Sequence, residues 1–268
     1  MSIHPSAIID RQAEIDSNVA IGANCVIDAG VRIRSGCRLY HNVYVTGWTE
    51  IGSDCELHPG VIVGHIPQDT KYTGAKSYCR IGRGTVLREY VTVHRGTVPE
   101  SETVVGEECF LLGGSHVGHN CTVADRVTLI NHVLLGGHVQ VGPRVTMGGA
   151  AAVHQFVRVG ELAMIAAVGR VVMDVPPFAL TEPTGRIAGL NRVGMRRAGM
   201  SREEMDDVRN AYRILLGRET FFRAAVERLG GEVKTPAGRR LLAFLQQESK
   251  RGVAGSSRRG QDRTAPEA

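Results

Sequence analysis

Six of the ten histidines in this 268-residue chain lie between positions 94 and 154, namely His94, His116, His119, His132, His138 and His154. A neutral imidazole accepts a proton near pH 7, so such a cluster is typical of general acid–base chemistry. His116 and His119, three residues apart, could alternatively supply two ligands to a zinc ion. Either chemistry requires a scaffold that brings residues distant in the chain to one place.

A six-residue repeat indicates what that scaffold is. Of the 29 positions reached by stepping in sixes from Ile3 to Val171, 26 are Ile, Leu, Val or Met, and the exceptions are Asp69, Ala75 and Pro99. A small residue usually stands four positions after each aliphatic one, and this column holds all six cysteines: Cys25, Cys37, Cys55, Cys79, Cys109 and Cys121. The period fits neither a helix nor an ordinary strand. It predicts a coil of short strands whose large aliphatic side chains point inward.

The repeat resembles that of the hexapeptide-repeat acyltransferases, which fold as a left-handed parallel β-helix. This resemblance implies an all-β domain over residues 1–178 with 18 residues in each coil, so that residues 18 apart are stacked. His119 then lies one coil below Gly137, which places a proton acceptor beside a backbone N–H that no Cβ shields. His138 stacks above Asn120 in the same way. Because none of the clustered histidines belongs to the inward column, we expect all of them at or near the surface.

Other elements interrupt or follow the coil. We expect loops at 65–80 and 96–104, where the repeat is broken, and an end of strand pairing near Pro176 and Pro177. A small α-helical domain is predicted over 185–250, with a capping box formed by Ser201 and Glu204 and a later helix opening at Thr235 and Pro236. The low apolar content of 251–268 predicts a disordered tail.

Composition excludes several classes of protein. The mean hydropathy is −0.08 and no apolar run reaches about 18 residues, so no transmembrane segment is expected. The amino-terminal residues lack the pattern of a secretory signal. A net charge of +5 is too small to indicate nucleic acid as a partner. The cysteines have no metal-binding or disulfide spacing, and we expect reduced thiols and a cytoplasmic location.

A more specific resemblance rests on short motifs in a fixed order. They are QDTKYTG at 68–74, VTVHRGT at 91–97, SHVGHNC at 115–121, AVHQF at 152–156, DVPP at 174–177 and an Arg pair at 196–197. Over nearly the whole chain they resemble the UDP-N-acetylglucosamine O-acyltransferases of lipid A biosynthesis. The resemblance implies transfer of an (R)-3-hydroxyacyl group from acyl carrier protein to the 3-OH of UDP-N-acetylglucosamine. It also implies a homotrimer with clefts between subunits. No cofactor is expected beyond the phosphopantetheine of the carrier protein.

The same resemblance implies roles for individual residues. His119 is the general base, and the Gly137 amide binds the thioester oxyanion. Residues of the first loop orient the sugar and phosphate, namely Gln68, Asp69 and Lys71. The cleft is lined by His94, His116, His138, His154 and Gln155, while Asn191 and Arg197 hold nucleotide or phosphopantetheine groups. No metal site is implied.

Four positions depart from the pattern of many relatives. Asn120 replaces an Asp that follows the base, Val193 replaces a Glu, and Ala198 replaces a third basic residue. Ala167 stands where relatives that accept longer chains have Gly, which predicts a preference for shorter acyl groups. The arginine-rich stretch suits an acidic carrier protein and comprises Arg192, Arg196, Arg197, Arg202, Arg209 and Arg213.

Three alternative functions stay open at this point. The related N-acyltransferase of the same pathway carries a globular domain before its β-helix, whereas the hexads here begin at Ile3. A zinc-dependent protein resembling carbonic anhydrase would use the histidines as ligands and would lose activity with a chelator. A non-catalytic scaffold would be unaffected by loss of His119.

Overall fold

Each six-residue repeat forms one short strand and one turn. The computed structural model describes residues 2–217 and 221–255. Its first fourteen strands are β1 Ser2–Ile3, β2 Ile8–Ile9, β3 Glu14–Ile15, β4 Ala20–Ile21, β5 Val26–Ile27, β6 Arg32–Ile33, β7 Arg38–Leu39, β8 Tyr44–Val45, β9 Trp48–Ile51, β10 Glu56–Leu57, β11 Ile62–His65, β12 Tyr78–Ile81, β13 Val86–Leu87 and β14 Thr92–His94.

The second half of the coil continues in the same manner. Its strands are β15 Glu102–Val105, β16 Phe110–Leu111, β17 His116–Val117, β18 Thr122–Val123, β19 Thr128–Leu129, β20 Leu134–Leu135, β21 Gln140–Val141, β22 Thr146–Met147, β23 Ala152–Val153, β24 Arg158–Val159, β25 Met164–Ile165, β26 Arg170–Val171, β27 Ala179–Thr181 and β28 Ile187–Leu190. Four helices follow: α1 Arg192–Arg197, α2 Arg202–Leu215, α3 Phe222–Glu232 and α4 Pro236–Gln246.

The strands form three parallel sheets, because each strand in the coil pairs with the strands three places before and after it. The first face runs from β1 through β4 to β25 and β27, the second from β2 to β26, and the third from β3 to β24. The chain therefore winds around a three-sided parallel β-helix. This confirms the architecture predicted from the repeat.

The residue pairing between stacked strands shows how the two loops fit into the coil. Paired residues are 18 positions apart in most coils, as in Leu111 with Leu129. They are 30 apart across the first loop, where Leu57 pairs with Leu87, and 24 apart across the second, where Leu87 pairs with Leu111. The chain leaves the coil at 66–77 and 95–101. The predicted loops at 65–80 and 96–104 are therefore slightly shorter in the structure, since β12 and β15 begin early.

The core is a narrow column of aliphatic and small side chains. The large aliphatics end most of the strands and are almost all buried, and the six cysteines are free and buried among them. Burial raises the pKa of the Cys79 and Cys121 thiols to about 12 and that of Cys109 to about 11. These thiols therefore behave as small apolar groups, as their position in the small-residue column predicts.

The end of the coil differs from the sequence-based expectation. Strand pairing continues beyond Pro177, because Leu180 in β27 pairs with Met164 and β28 then turns back antiparallel to β27. The ring of Phe178, which is completely buried, fills the top of the core. Residues 251–255, assigned to the tail by their composition, are hydrogen-bonded against the last coil, and 256–268 lie outside the described residues.

The helices pack on this end of the prism. Ser201 and Glu204 form the predicted capping box at the start of α2, and Thr235 caps α4 by accepting from the N–H of Gly238. The Tyr212 hydroxyl, buried beneath α2, donates to the carbonyl of Pro177 at 2.6 Å. Of the helices in 2–217 and 221–255, none has both the length and the apolar content to span a bilayer.

Candidate active site

His119 lies in the turn between the second and third faces, directly below Gly137. A Cβ added to Gly137 would lie 2.5 Å from Nε2 of His119, so only glycine leaves room for the ring. The Gly137 N–H has no recorded acceptor among the described residues, since the coil bonds through its neighbours instead. The structure thus brings together a ring nitrogen and a vacant backbone donor, as the 18-residue spacing predicts.

The hydrogen bonds of Asn120 fix the tautomer of His119. The Asn120 Oδ1 atom accepts from the backbone N–H of Thr97 at 3.1 Å and from its hydroxyl at 2.8 Å. It also lies 3.0 Å from Nδ1 of His119. Because a backbone N–H can only donate, the atom that faces it is the amide oxygen, and Nδ1 must then carry a proton. Nε2, beside Gly137, is left with the lone pair that a general base needs.

A ladder of rings extends upward from His119. Its ring meets that of His138 edge-on with centroids 5.2 Å apart, and His138 stacks on Phe156 at 4.7 Å. Burial lowers the pKa of His138, the charges of His119 and Lys250 lower it further, and Asp69 opposes them. His138 is therefore biased toward the neutral form.

A second histidine pair lies on the face beside this edge. His94 and His116 meet edge-on with centroids 4.9 Å apart, and Thr92 Oγ1 lies 2.7 Å from Nδ1 of His116. Burial, reinforced by His116, His65 and His119, lowers the pKa of His94 to about 4. Burial likewise lowers the pKa of His116.

His94 corrects the expectation that every clustered histidine is near the surface. It is only 6% exposed, and its Nδ1 atom has no hydrogen-bond partner among the residues that the structure describes. It ends β14 with its ring between those of His65 and His116, and a position outside the inward column does not reveal these neighbours.

The polar side chains of the first loop differ in their exposure and in their hydrogen bonds. The Asp69 carboxylate accepts the N–H of Lys71 at 2.9 Å, which forms a tight turn. Gln68 and Lys71 are exposed on either side of that turn. Arg95 donates to the hydroxyl of Tyr72 at 2.8 Å and so ties the loop to the coil. Two exposed side chains, one amide and one cation, are thereby free to bind polar groups at the edge near His138.

His154 and Gln155 lie one coil above Gly136 and Gly137, and two coils above His119. The Gly136 Cα lies so close beneath Gln155 that an added Cβ would be 2.8 Å from the Gln155 nitrogen. His154 is half-buried, whereas the side chain of Gln155 is exposed. The Arg251 guanidinium contacts the ring of His154. These residues share the edge that carries His119 and Gly137.

Three predicted site residues are elsewhere in the chain. The Asn191 side chain caps α1 by accepting from Gly194 and donates to the Leu162 carbonyl at 2.8 Å. Arg197 is exposed in the last turn of α1, and Ala167 is exposed in the turn between the first and second faces, across a full side of the prism from His119. Within one subunit these residues do not join the histidine cluster.

Within one chain, the described residues provide no ligand set for the zinc alternative. Among residues 2–217 and 221–255, no group of three or more His, Cys, Asp or Glu side chains could hold a metal ion. The Nδ1 atom of His116 faces Thr92 and that of His119 faces Asn120, so each of these ring nitrogens already has a polar partner.

Sequence reasoning missed four residues at this site. They are Thr97, which holds Asn120, Phe156 in the ring ladder, and Lys250 and Arg251 beyond the last helix. Because Phe156 follows His138 by 18 residues, the spacing could have revealed the contact between these two rings. Lys250 and Arg251 lie outside the repeat, so no spacing in the sequence places them against the coil.

Comparisons with known proteins identify the family to which the chain is similar. Residues 174–254 match the family model described as Udp N-acetylglucosamine O-acyltransferase, domain 2. The chain is 38% identical to the acyl-[acyl-carrier-protein]–UDP-N-acetylglucosamine O-acyltransferase of Synechocystis sp., covering 92% of this chain and 90% of that protein. It is 39% identical to the enzyme of that name from Thermodesulfovibrio yellowstonii, over 94% of this chain and 98% of that protein.

A solved structure extends the similarity to the whole fold. The Francisella novicida UDP-N-acetylglucosamine acyltransferase superposes with a TM-score of 0.92 at 29% identity, covering 96% of this chain and 95% of that one. The matched length includes both the coil with its two loops and the helices. Sequence, fold and similarity to relatives together establish that the chain belongs to the family of acyl-[acyl-carrier-protein]–UDP-N-acetylglucosamine O-acyltransferases.

Proposed function

We propose that this protein transfers an (R)-3-hydroxyacyl group from acyl carrier protein to the 3-OH of UDP-N-acetylglucosamine, the first step of lipid A biosynthesis. The observation that carries the proposal is the placement of His119 Nε2 beneath the bare amide of Gly137, with Nδ1 of the same ring facing the Asn120 amide oxygen. Family membership supplies the substrates, since the relatives are named for them.

The reaction follows from the two groups. Nε2 of His119 takes the proton of the sugar hydroxyl as its oxygen attacks the thioester carbonyl. The Gly137 N–H donates to the oxyanion of the tetrahedral intermediate. Collapse of the intermediate breaks the C–S bond, and the imidazolium returns its proton to the departing phosphopantetheine thiolate. The Asn120 amide oxygen accepts from Nδ1–H of His119 before and after Nε2 takes the proton, and no other cofactor takes part.

Binding roles follow the placement of the side chains. Gln68, Asp69 and Lys71 orient the sugar and phosphate from the first loop. The cleft is lined by His94, His116, His138, His154 and Gln155. Asn191 caps its own helix with one face of its amide, so any nucleotide contact at this end falls mainly to Arg197.

The assembly we propose is a homotrimer of left-handed coils in the cytoplasm. Ala167 and Arg197 are distant from the base within one chain, and a neighbouring subunit would bring them to the cleft. Carrier protein is acidic, and Arg192, Arg196 and Arg197 of α1 are exposed cations that suit its docking.

The decisive experiment is incubation with UDP-N-acetylglucosamine and a panel of (R)-3-hydroxyacyl carrier proteins, with products identified by mass. We expect an ester product, retained activity in a chelator, and loss of activity in His119→Ala. The matched control is His41→Ala, because His41 occupies the same turn position before a left-handed Asn42. Product formed only from a 3-amino sugar, or full activity without His119, would contradict the proposal.

A further inference from the structure

The polar part of the first loop is attached to the rest of the chain through one side chain. Within residues 66–75, the Tyr72 N–H donates to the Asp69 carbonyl, and the Tyr72 hydroxyl donates to the Ala75 carbonyl. Among the residues that the structure describes, the hydrogen bonds that join 66–75 to the rest of the chain all come from the Arg95 guanidinium. Its Nη2 and Nε atoms lie 2.8 Å and 3.3 Å from the Tyr72 hydroxyl oxygen.

Arg95 is itself fixed on the coil. Its backbone N–H donates to the His65 carbonyl at 3.2 Å, and its Nη1 atom donates to the Gly64 carbonyl at 3.1 Å. The guanidinium carbon lies 5.8 Å from the ring centroid of Trp48. A Cβ added to Gly47 would lie 2.5 Å from Nη1, so the coil closes tightly around this group. The planar fork of donors is thus divided between the coil and the first loop.

The bond to Tyr72 determines where the turn of the first loop lies. The Tyr72 N–H closes the turn that begins at Asp69, and the Asp69 carboxylate accepts the N–H of Lys71 inside it. A fixed Tyr72 ring therefore fixes the backbone that carries the Asp69 and Lys71 side chains. A loop that is already ordered loses less conformational entropy when a ligand binds to it than a mobile loop does.

The rest of the second loop is held independently of the guanidinium. The Gly96 carbonyl accepts from the Ser77 hydroxyl at 2.6 Å, and the Gly96 N–H donates to the Tyr78 carbonyl at 3.2 Å. Thr97 gives its two donors to Asn120. Removal of the Arg95 side chain therefore releases the first loop and leaves the bonds that Asn120 makes near the base.

We propose that Arg95 is a positioning residue for the acyl-transfer reaction, which holds the turn of Asp69 and Lys71 where these side chains meet the sugar nucleotide. The inference rests on the proposed function, because that function assigns binding of the sugar nucleotide to the first loop. Arg95 acts through Tyr72 and not on the reacting atoms. Its loss weakens binding of UDP-N-acetylglucosamine and leaves the transfer step and the binding of the acyl carrier protein unchanged.

The experiment compares Tyr72→Phe and Arg95→Ala with the parent by two measurements. Steady-state kinetics give kcat and the KM for each substrate, and limited trypsin digestion gives the rate of cleavage after Lys71, with fragments identified by mass. Tyr72→Phe keeps the ring and removes only the hydroxyl. We expect KM for UDP-N-acetylglucosamine to rise roughly tenfold in both variants, as for loss of one hydrogen bond to a charged group. An unchanged kcat would mark the loss as one of binding, and cleavage after Lys71 should accelerate because the loop opens more often.

Two further variants show whether the effect passes through the bond between Arg95 and Tyr72. The double variant Tyr72→Phe/Arg95→Ala should have the same KM as Arg95→Ala alone, because both substitutions remove one shared interaction. Arg95→Lys keeps the charge but not the planar fork, so its KM should lie between those of the parent and Arg95→Ala. Additive effects in the double variant would contradict the proposal.

The matched controls remove equivalent groups away from the first loop. Tyr44→Phe removes a hydroxyl that donates to Asp28 at 2.7 Å within the coil. Arg80→Ala removes an exposed guanidinium that pairs with Glu102 at 2.7 Å. Both controls should keep the KM values and the cleavage rate of the parent.

Thermal unfolding identifies variants that fail to fold, and Tyr72→Phe provides the test if Arg95→Ala is one of them. An unchanged KM for UDP-N-acetylglucosamine or an unchanged cleavage rate in folded Tyr72→Phe would overturn the inference. An equal rise in KM for the acyl carrier protein, or the same changes in the controls, would also overturn it. A parent without acyl transfer refutes the proposed function instead, and the cleavage rates still show whether Arg95 holds the loop.

Discussion

The amide oxygen of Asn120 accepts both donors of Thr97, one from the backbone and one from the hydroxyl. This pair links the second loop to the base, because the same oxygen faces Nδ1 of His119. A loop that leaves the coil and returns therefore determines which ring nitrogen of the proposed base, His119, can accept a proton.

Asn120→Asp tests this link. A carboxylate in the same place would keep the donors of Thr97 and would stabilise the imidazolium that forms in the transition state better than a neutral amide does. We expect kcat to rise by up to about tenfold with KM unchanged, measured by steady-state kinetics. A fall in kcat in a folded Asn120→Asp protein would show that the neutral amide is required.

Gly137→Ala should abolish most activity without unfolding the protein. The added Cβ would lie 2.5 Å from Nε2 of His119 and would displace the ring from the amide. We expect kcat to fall about 100-fold or more, because a misplacement of about 1 Å can cost that much. The control is Gly113→Ala, at the same turn position of another edge, where the nearest atom is the flexible end of Asn131 at 3.1 Å. Equal losses in the two variants would refute the steric argument.

The buried His94 predicts that stability decreases in mild acid. Its pKa is about 4 in the folded protein, below the unfolded value near 6.5, so the unfolded chain binds more protons between these pH values. The stabilisation is complete above pH 6.5 and is lost as the pH falls toward 4. It corresponds to about 3 kcal/mol for this group.

Denaturant unfolding of the parent and of His94→Gln at pH 7 and pH 4.5 measures this effect. The parent should lose more free energy of unfolding than the variant between the two pH values. Identical losses would mean that His94 does not remain neutral in the folded protein.

Ala167→Gly tests the acyl-length preference. The methyl group of Ala167 stands in an exposed turn above Gly149, and its removal should widen the groove there. We expect the variant to use longer acyl donors better than the parent, measured as kcat/KM over a series of acyl carrier proteins. No gain on longer donors would remove the hypothesis.

Asp174→Ala should destabilise the junction between coil and helices. It leaves the Arg158 guanidinium largely buried without its partner, which costs about 3–5 kcal/mol. Glu14→Ala is the control, since it breaks the exposed pair with Arg32 and should have a near-zero effect. Denaturant unfolding compares the two, and similar small effects would indicate that Arg158 finds another partner.

The sequence determines the coil because each repeat carries its own inward aliphatic and small residue, so stacking follows from spacing alone. The positions of His119 and Gly137 were predictable for that reason. The hairpin after Phe178 was not predictable. Neither was the contact of Arg251 with His154, which joins residues 97 apart. These depend on tertiary packing of the helices, which no local period encodes. The role of Asn120 was also hidden, since only the return of the second loop brings Thr97 to it.

The strand registers at the two loops show which changes in chain length the fold can accommodate and which it cannot. Because the strands on either side of each loop pair with the coil below in the usual phase, either excursion can be lengthened or shortened without rotating any residue downstream. A single residue inserted within a coil would instead turn every later aliphatic away from the axis. The two loops can therefore be exchanged as units, while the coil that carries them tolerates substitutions but no change in the number of residues per repeat.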